Sequence, residues 1–314
     1  MRPVIRVLPS VFLLFFAPLV AGAWPISVSD LTPFANTGAV NGGGIAARDG
    51  YIYVEEYGSS GMNSRVIRIS PDGSVNMNWL TGVVSGFKPY ITPTGQLWLT
   101  GDDFKYTLPQ RQIARIDAFD PLTGASLGPV FVDGSDYCWT TTAAMLPDGS
   151  AVFGTSNYPV DIKGIRKVSS PNQANMISPG YGNNTHLAVA QDGRLLLGSG
   201  YILGFIDGSG VFQKTFQTTY VSDDRLQIVS VVPLPDGAVL LATQLKVMRL
   251  APDLSTARDL LTTGVSSFAS LTLDAVRNTI VARLQNGNVY VIPVPDGAVE
   301  ARALSWGRLK TLYR

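Results

Sequence analysis

Two pairs of adjacent carboxylates, Glu55-Glu56 and Asp102-Asp103, and one histidine, His186, are the side chains of this chain best suited to chemistry. Carboxylate pairs can supply oxygen ligands to Ca²⁺ or Mg²⁺, which take about six or more such donors. On an extended chain neighbouring side chains point to opposite faces, so each pair offers one inward group at most. A solvated rim is the alternative reading for both pairs. An imidazole titrates near neutrality and suits a general base. No serine or cysteine stands at a spacing that marks it as a nucleophile partner, and a hydrogen-bonded structural histidine is the alternative. With Asn157 as a polar amide, Glu55, Asp102 and His186 form the catalytic candidates. Glu56, Asp103, Tyr106, Tyr137, Trp139 and Tyr158 form the ligand-binding candidates. Aromatic faces stack on sugar rings or anchor protein contacts. Ordinary packing is the alternative for the rings.

Other chemistries have no motif here. Gly42-Gly43-Gly44 lacks the following lysine and helix of a phosphate-cradling loop. There is no Cys/His metal spacing and no nucleophile elbow. Cys138 is the only cysteine, so no disulfide forms within the chain, and its apolar and small neighbours suit a buried, inert thiol.

The elements that position these residues follow from a recurring phrase. An apolar stretch enters a tight Asp-Gly-type turn and a second apolar stretch leaves it. The turns fall at Asp49-Gly50, Thr94-Gly95, Asp148-Gly149, Asp192-Gly193, Asp236-Gly237 and, degenerately, Asp274 to Asn278. The steps between them range from 38 to 54 residues. Repeats of about 40–50 residues mark propeller blades. A second phrase, such as Val66-Ile67-Arg68-Ile69 or Val247-Met248-Arg249-Leu250, follows each turn phrase. The expected fold is all-β: a six-bladed propeller of four-stranded antiparallel blades, spanning 41–304. Strands A and B, nearly continuous apolar runs, should be buried on both faces. Residues 24–40 form an N-terminal segment that can add a seam strand from Ile26 to Ser29. The outer strand of blade six can alternatively come from 299–304, leaving 305–314 as a tail.

In such a ring the B–C and D–A connections meet around the channel mouth. The B–C connections of blades one, two and three are long and those of blades four, five and six short, so the rim is one-sided. Loops on a rigid scaffold commonly carry function, although drift at tolerant sites also lengthens them. His186 begins the inner strand of blade four, which puts it close to the axis.

The first blade, Gly43-Gly44-Ile45-Ala46-Ala47-Arg48-Asp49-Gly50-Tyr51-Ile52-Tyr53-Val54 with Arg65 to Gly73, resembles an NHL-type repeat. The second, Ile91-Thr92-Pro93-Thr94-Gly95-Gln96-Leu97-Trp98-Leu99, resembles the related lyase-like propellers. The resemblance is to the NHL-repeat and gluconolactonase-like six-bladed superfamily, and it implies the scaffold rather than one activity. Gluconolactonase-type members hold a central divalent metal with a Glu-Gly-Pro glutamate, an asparagine before an aspartate, and a further aspartate. This chain has neither Glu-Gly-Pro nor Pro-Asn-Asp, and the several histidines of the lyase and quinoprotein members are reduced to one. No catalytic residue transfers.

Arg2 and Arg6, the apolar run Val11 to Val20, and Ala21-Gly22-Ala23 form the pattern of a signal peptide over 1–23. A secreted or periplasmic protein is expected, with no membrane span. Lys and Arg number 24 against 23 Asp and Glu, a near-neutral balance that argues against nucleic acid partners. Asn183-Asn184-Thr185 is a sequon that matters only in a glycosylating host. Two functional readings stay open. One is an exported, monomeric propeller that binds a small molecule, glycan or protein through the rim of blades one to three. The other is a lactonase-, lyase- or cyclase-like enzyme at the channel mouth. No cofactor is evident beyond a Ca²⁺ or Mg²⁺ that the mouth carboxylates could hold.

Overall fold

The computed structural model describes residues 24–38, 42–56, 64–83, 88–105, 111–133, 138–157, 164–180, 185–218, 226–264 and 266–294. Six antiparallel sheets, each of four blade strands, form a ring around a central channel. Blade one runs Gly42–Arg48, Tyr51–Glu56, Ser64–Ile69 and Val75–Val83 as strands A to D. Blade two runs Pro89–Ile91, Leu97–Lys105, Arg111–Phe119 and Ser126–Val132. Blade three follows with Cys138–Met145, Ala151–Asn157, Gly164–Ser170 and Gln173–Pro179, and blade four with Thr185–Val189, Leu195–Ser199, Ile202–Ile206 and Phe212–Gln217. Blade five comprises Ile228–Pro233, Val239–Thr243, Lys246–Leu250 and Ala257–Thr262. Blade six has strands A to C at Phe268–Asp274, Thr279–Leu284 and Asn288–Pro293.

The ring closes through the N-terminal segment. Ala35–Asn36 pairs antiparallel with strand C of blade six and takes its outer position. Residues 299–304, the other sequence candidate for that position, lie outside the described residues. Ile26–Ser27 adds to blade five instead, parallel to its strand D. The reason is hydrophobic: Val28 drops into the apolar layer between blades five and six, beside Leu261 and Phe268. Such burial stabilises each side chain by roughly 1.5–3 kcal/mol and holds the segment across the seam.

Strands A and B make most of the core. Val239–Thr243 and Thr279–Leu284 are buried at every position. Apolar layers fill the spaces between neighbouring blades, with Trp98, Phe131 and Phe153 joining two and three, and Ala144, Ile165 and Leu197 joining three and four. The A–B turns of blades two to five repeat one solution. In blade three Pro147 and Asp148 occupy the bend and Gly149 adopts φ +83°, while Leu146 and Ser150 close the backbone. Proline suits the fixed φ of the bend, and glycine accepts the left-handed one.

Candidate functional site

The most concentrated chemistry lies on the axis, at the end where strands A begin. Lys88 stands immediately before strand A of blade two, and His186 is the second residue of strand A in blade four. In register they are equivalents. Lys88 lies three residues ahead of Ile91, which faces Leu97 across the first A–B turn position. His186 lies three ahead of Val189, which faces Leu195 at the same position. The ring therefore turns both side chains to one depth, and the Lys88 Nζ meets His186 Nδ1 across it. The Lys88 ammonium also donates to the Val229 carbonyl of blade five at 2.9 Å.

The backbone is shaped for this meeting. A residue before proline is held in the extended region, and the Lys88 carbonyl accepts from the Thr100 hydroxyl of its own blade at 3.3 Å. Gly44 of blade one leaves the room: a Cβ there would lie 2.6 Å from Lys88 Cγ and 2.9 Å from its Cα. Gly198, opposite His186 in the ladder, would put a Cβ 2.7 Å from Val231 of blade five. Its absence lets the strand that carries Val229 approach.

Burial pushes the Lys88 amine down from its ordinary 10.5 to about 7. Lys88 and His186 both keep part of their surface open. A lysine in that range beside an imidazole makes a pair that can hold or release one proton near neutrality. A buried cation is weak as a structural device, since an apolar plug of similar size would join the blades at less cost. Perturbed groups of this kind concentrate at functional sites.

Of the residues singled out from sequence, His186 enters this site. Glu55 is fully buried at the end of strand B of blade one. Its neighbour Glu56 is half-buried and forms an ion pair with Arg65 of strand C, which also donates to Asn78 at 2.8 Å. The strand is buried from Ile52 to Glu55 and opens at its last residue, Glu56. Arg283 holds the blade-six position equivalent to Glu55 and is fully buried. Burial lowers its pKa, opposed by the charge of Glu56. Glu56 pairs within blade one, and its charge reaches Arg283 of blade six.

Asp102 and Asp103 lie on strand B of blade two, facing Ala114 and Ile113 in the ladder. Asn157 ends strand B of blade three opposite Cys138, with Trp139 next along that neighbouring strand. Tyr106, Tyr137 and Tyr158 lie outside the described residues. Lys88 was missed. Aligning the blades on their A–B turns would have found it, because it stands where the only histidine stands two blades later.

Among the described residues no three His, Cys, Asp or Glu side chains gather as a metal centre. No helix among the described residues is long and apolar enough to cross a membrane.

The fold is shared with solved six-bladed propellers. A gluconolactonase from Xanthomonas campestris matches with TM-score 0.59 at 11% identity over 83% of this chain and 89% of that one. The calcium-binding protein regucalcin from Agrobacterium tumefaciens matches with TM-score 0.58 at 11% identity, over 84% and 91%. A glucose dehydrogenase matches with TM-score 0.61 at 9% identity, over 85% and 99%. At such identities the likeness is one of scaffold. No protein-family profile and no curated protein sequence matches the chain.

Proposed function

We propose that the protein performs proton-transfer chemistry on a small molecule at the channel mouth, as a lactonase, lyase or cyclase does, with Lys88 and His186 as the working pair. The contact of Lys88 Nζ with His186 Nδ1 on the axis carries this reading. The neutral member takes a proton from water or from a substrate carbon. The protonated member returns one to the departing or newly formed oxygen. Both steps need groups that titrate near the working pH, and burial supplies that for Lys88. The Val229 carbonyl holds the amine in place between the steps.

The test is a screen of the purified protein against lactones, esters and substrates of β-elimination. Lys88→Met and His186→Asn are each expected to lower kcat by about 10²-fold or more with the fold retained. Wild-type turnover in both variants would overturn the assignment. Stoichiometric Ca²⁺ in dialysed protein, lost in Glu55→Gln, would replace the pair with metal chemistry.

A rim-binding reading draws on the unequal connections. Strand B reaches strand C from Glu56 to Ser64, from Lys105 to Arg111 and from Asn157 to Gly164 in blades one to three. It needs only Ser199 to Ile202 and Thr243 to Lys246 in blades four and five. The long side would recognise the ligand, whether a small molecule, a glycan or a protein, with Glu56, Asp103 and the aromatic candidates. Exchanging these connections for short turns should abolish binding while the propeller still forms, and retained binding would exclude the rim. Export through cleavage after Ala23 belongs to the same reading, and N-terminal sequencing of the mature protein checks it.

A further inference from the structure

Lys88 differs in its partners from Lys246 and Lys167. Lys246 is fixed by the Asp259 carboxylate at 2.9 and 3.1 Å, and Lys167 by Asp148 at 2.6 Å. Those pairs favour the charged ammonium. The partners of Lys88 Nζ among the described residues are a carbonyl oxygen and an imidazole nitrogen, neither of them an anion. An ammonium has three protons to donate. Two acceptors engage two of them. Loss of the third leaves a neutral amine whose two N–H bonds remain anchored on Val229 and His186, with its lone pair in the remaining direction. That is the form of an amine nucleophile, held so that the lone pair is the part left unengaged.

We propose that Lys88 is a covalent capture site for small aldehydes or ketones, adding its amine nitrogen to the carbonyl carbon with His186 moving the protons. The proposal rests on the channel-mouth reading above, because the carbonyl compound must reach the same pair. Nζ forms a bond to carbon as the C=O π pair moves to oxygen. The proton lost from nitrogen passes by way of the imidazole to that oxygen, giving a carbinolamine. The nitrogen lone pair then expels the hydroxyl as the C–O bond breaks, and the remaining N–H proton passes by way of the imidazole to the departing oxygen, releasing water and leaving the imine. Amine plus carbonyl becomes imine plus water, with no oxidant or reductant. Burial adds to the geometry by keeping a useful fraction of the amine neutral near pH 7.

Reductive trapping tests it. The full-length protein is incubated with glycolaldehyde or pyruvate and sodium cyanoborohydride, and adducts are placed by intact mass and peptide mapping. One adduct should form at Lys88 at least about tenfold faster than at Lys167, Lys214 or Lys246. Its rate should rise through a midpoint near pH 7. Lys88→Arg should remove that adduct, and His186→Asn should slow it. Labelling spread evenly over the lysines, with none favoured at Lys88, would overturn the proposal, and the wild-type protein decides this without any variant. If Lys88→Met abolishes turnover in the screen while no adduct is trapped, covalent capture fails and the proton-transfer reading stands. A fast Lys88 adduct with no turnover in the screen would uphold capture and remove that reading.

Discussion

Where strands A and B join, Asp148, Asp192 and Asp236 each accept the backbone N–H two residues on, at 2.9 to 3.1 Å, and a glycine with positive φ follows each. At the opposite end of the same strands, equivalent positions carry Lys88 in one blade and His186 in another. The contrast separates what a blade needs from what this protein needs. A turn solves a local problem, so blades two to five repeat it. The axial positions face a shared opening, and nothing in blade geometry asks for an amine or an imidazole there. Departure from the repeat, at a place where the repeat brings residues together, is the stronger sign of function.

The contrast can be broken from the mouth first. Between pH 7 and 10.5 the unfolded chain keeps the Lys88 proton while the folded one has released it, so stability rises with pH across that window. Below pH 7 both states hold the proton and the buried charge counts fully against the fold. Burial raises the pKa of Tyr53 and Tyr90, so their contribution opposes the rise above about pH 10. Lys88→Met should remove the Lys88 rise, an effect of at most about 5 kcal/mol, read as unfolding free energy against pH. A parallel wild-type and variant profile would mean that the amine is not desolvated.

Next is a turn held from another blade. The buried Asp274 of blade six accepts from the N–H groups of Asp49 at 3.0 Å and Gly50 at 2.5 Å, tying the first hairpin to the last blade. Asp274→Ala should destabilise by about 2–3 kcal/mol, measured by denaturant unfolding. Gly44→Ala should cost about 1–2 kcal/mol, because its Cβ meets Lys88 Cα and Cγ. It should also slow trapping at Lys88, which links a packing change to the site. Gly237→Ala, where φ is +86° and space is ordinary, should cost only about 1 kcal/mol and leave the mouth untouched.

The legible part of the fold lay in short-range patterns. Pro147-Asp148-Gly149 and its counterparts mark the turns, and the apolar runs after them mark strands buried on both faces. Ring closure was less legible, because Ala35–Asn36 is too short to carry a strand pattern and gains its place from strand C of blade six. At the site, His186 was visible as the only imidazole, yet Lys88 was not, since one lysine before a proline looks like any surface cation. Glu55 stood out as half of an acidic pair, but its complete burial came from packing between blades rather than from its neighbours in sequence.

The number of blades, their turns and their strand order are written in the chain locally, because hydrogen bonding between adjacent strands and turn conformation are set within about ten residues. Only the tertiary structure decided that Lys88 and His186, 98 residues apart, share one opening with the Val229 carbonyl. Ring geometry converts equal register into proximity. Desolvation then acts on the groups so enclosed, and the burial that shifts Lys88 exists only once the blades surround it.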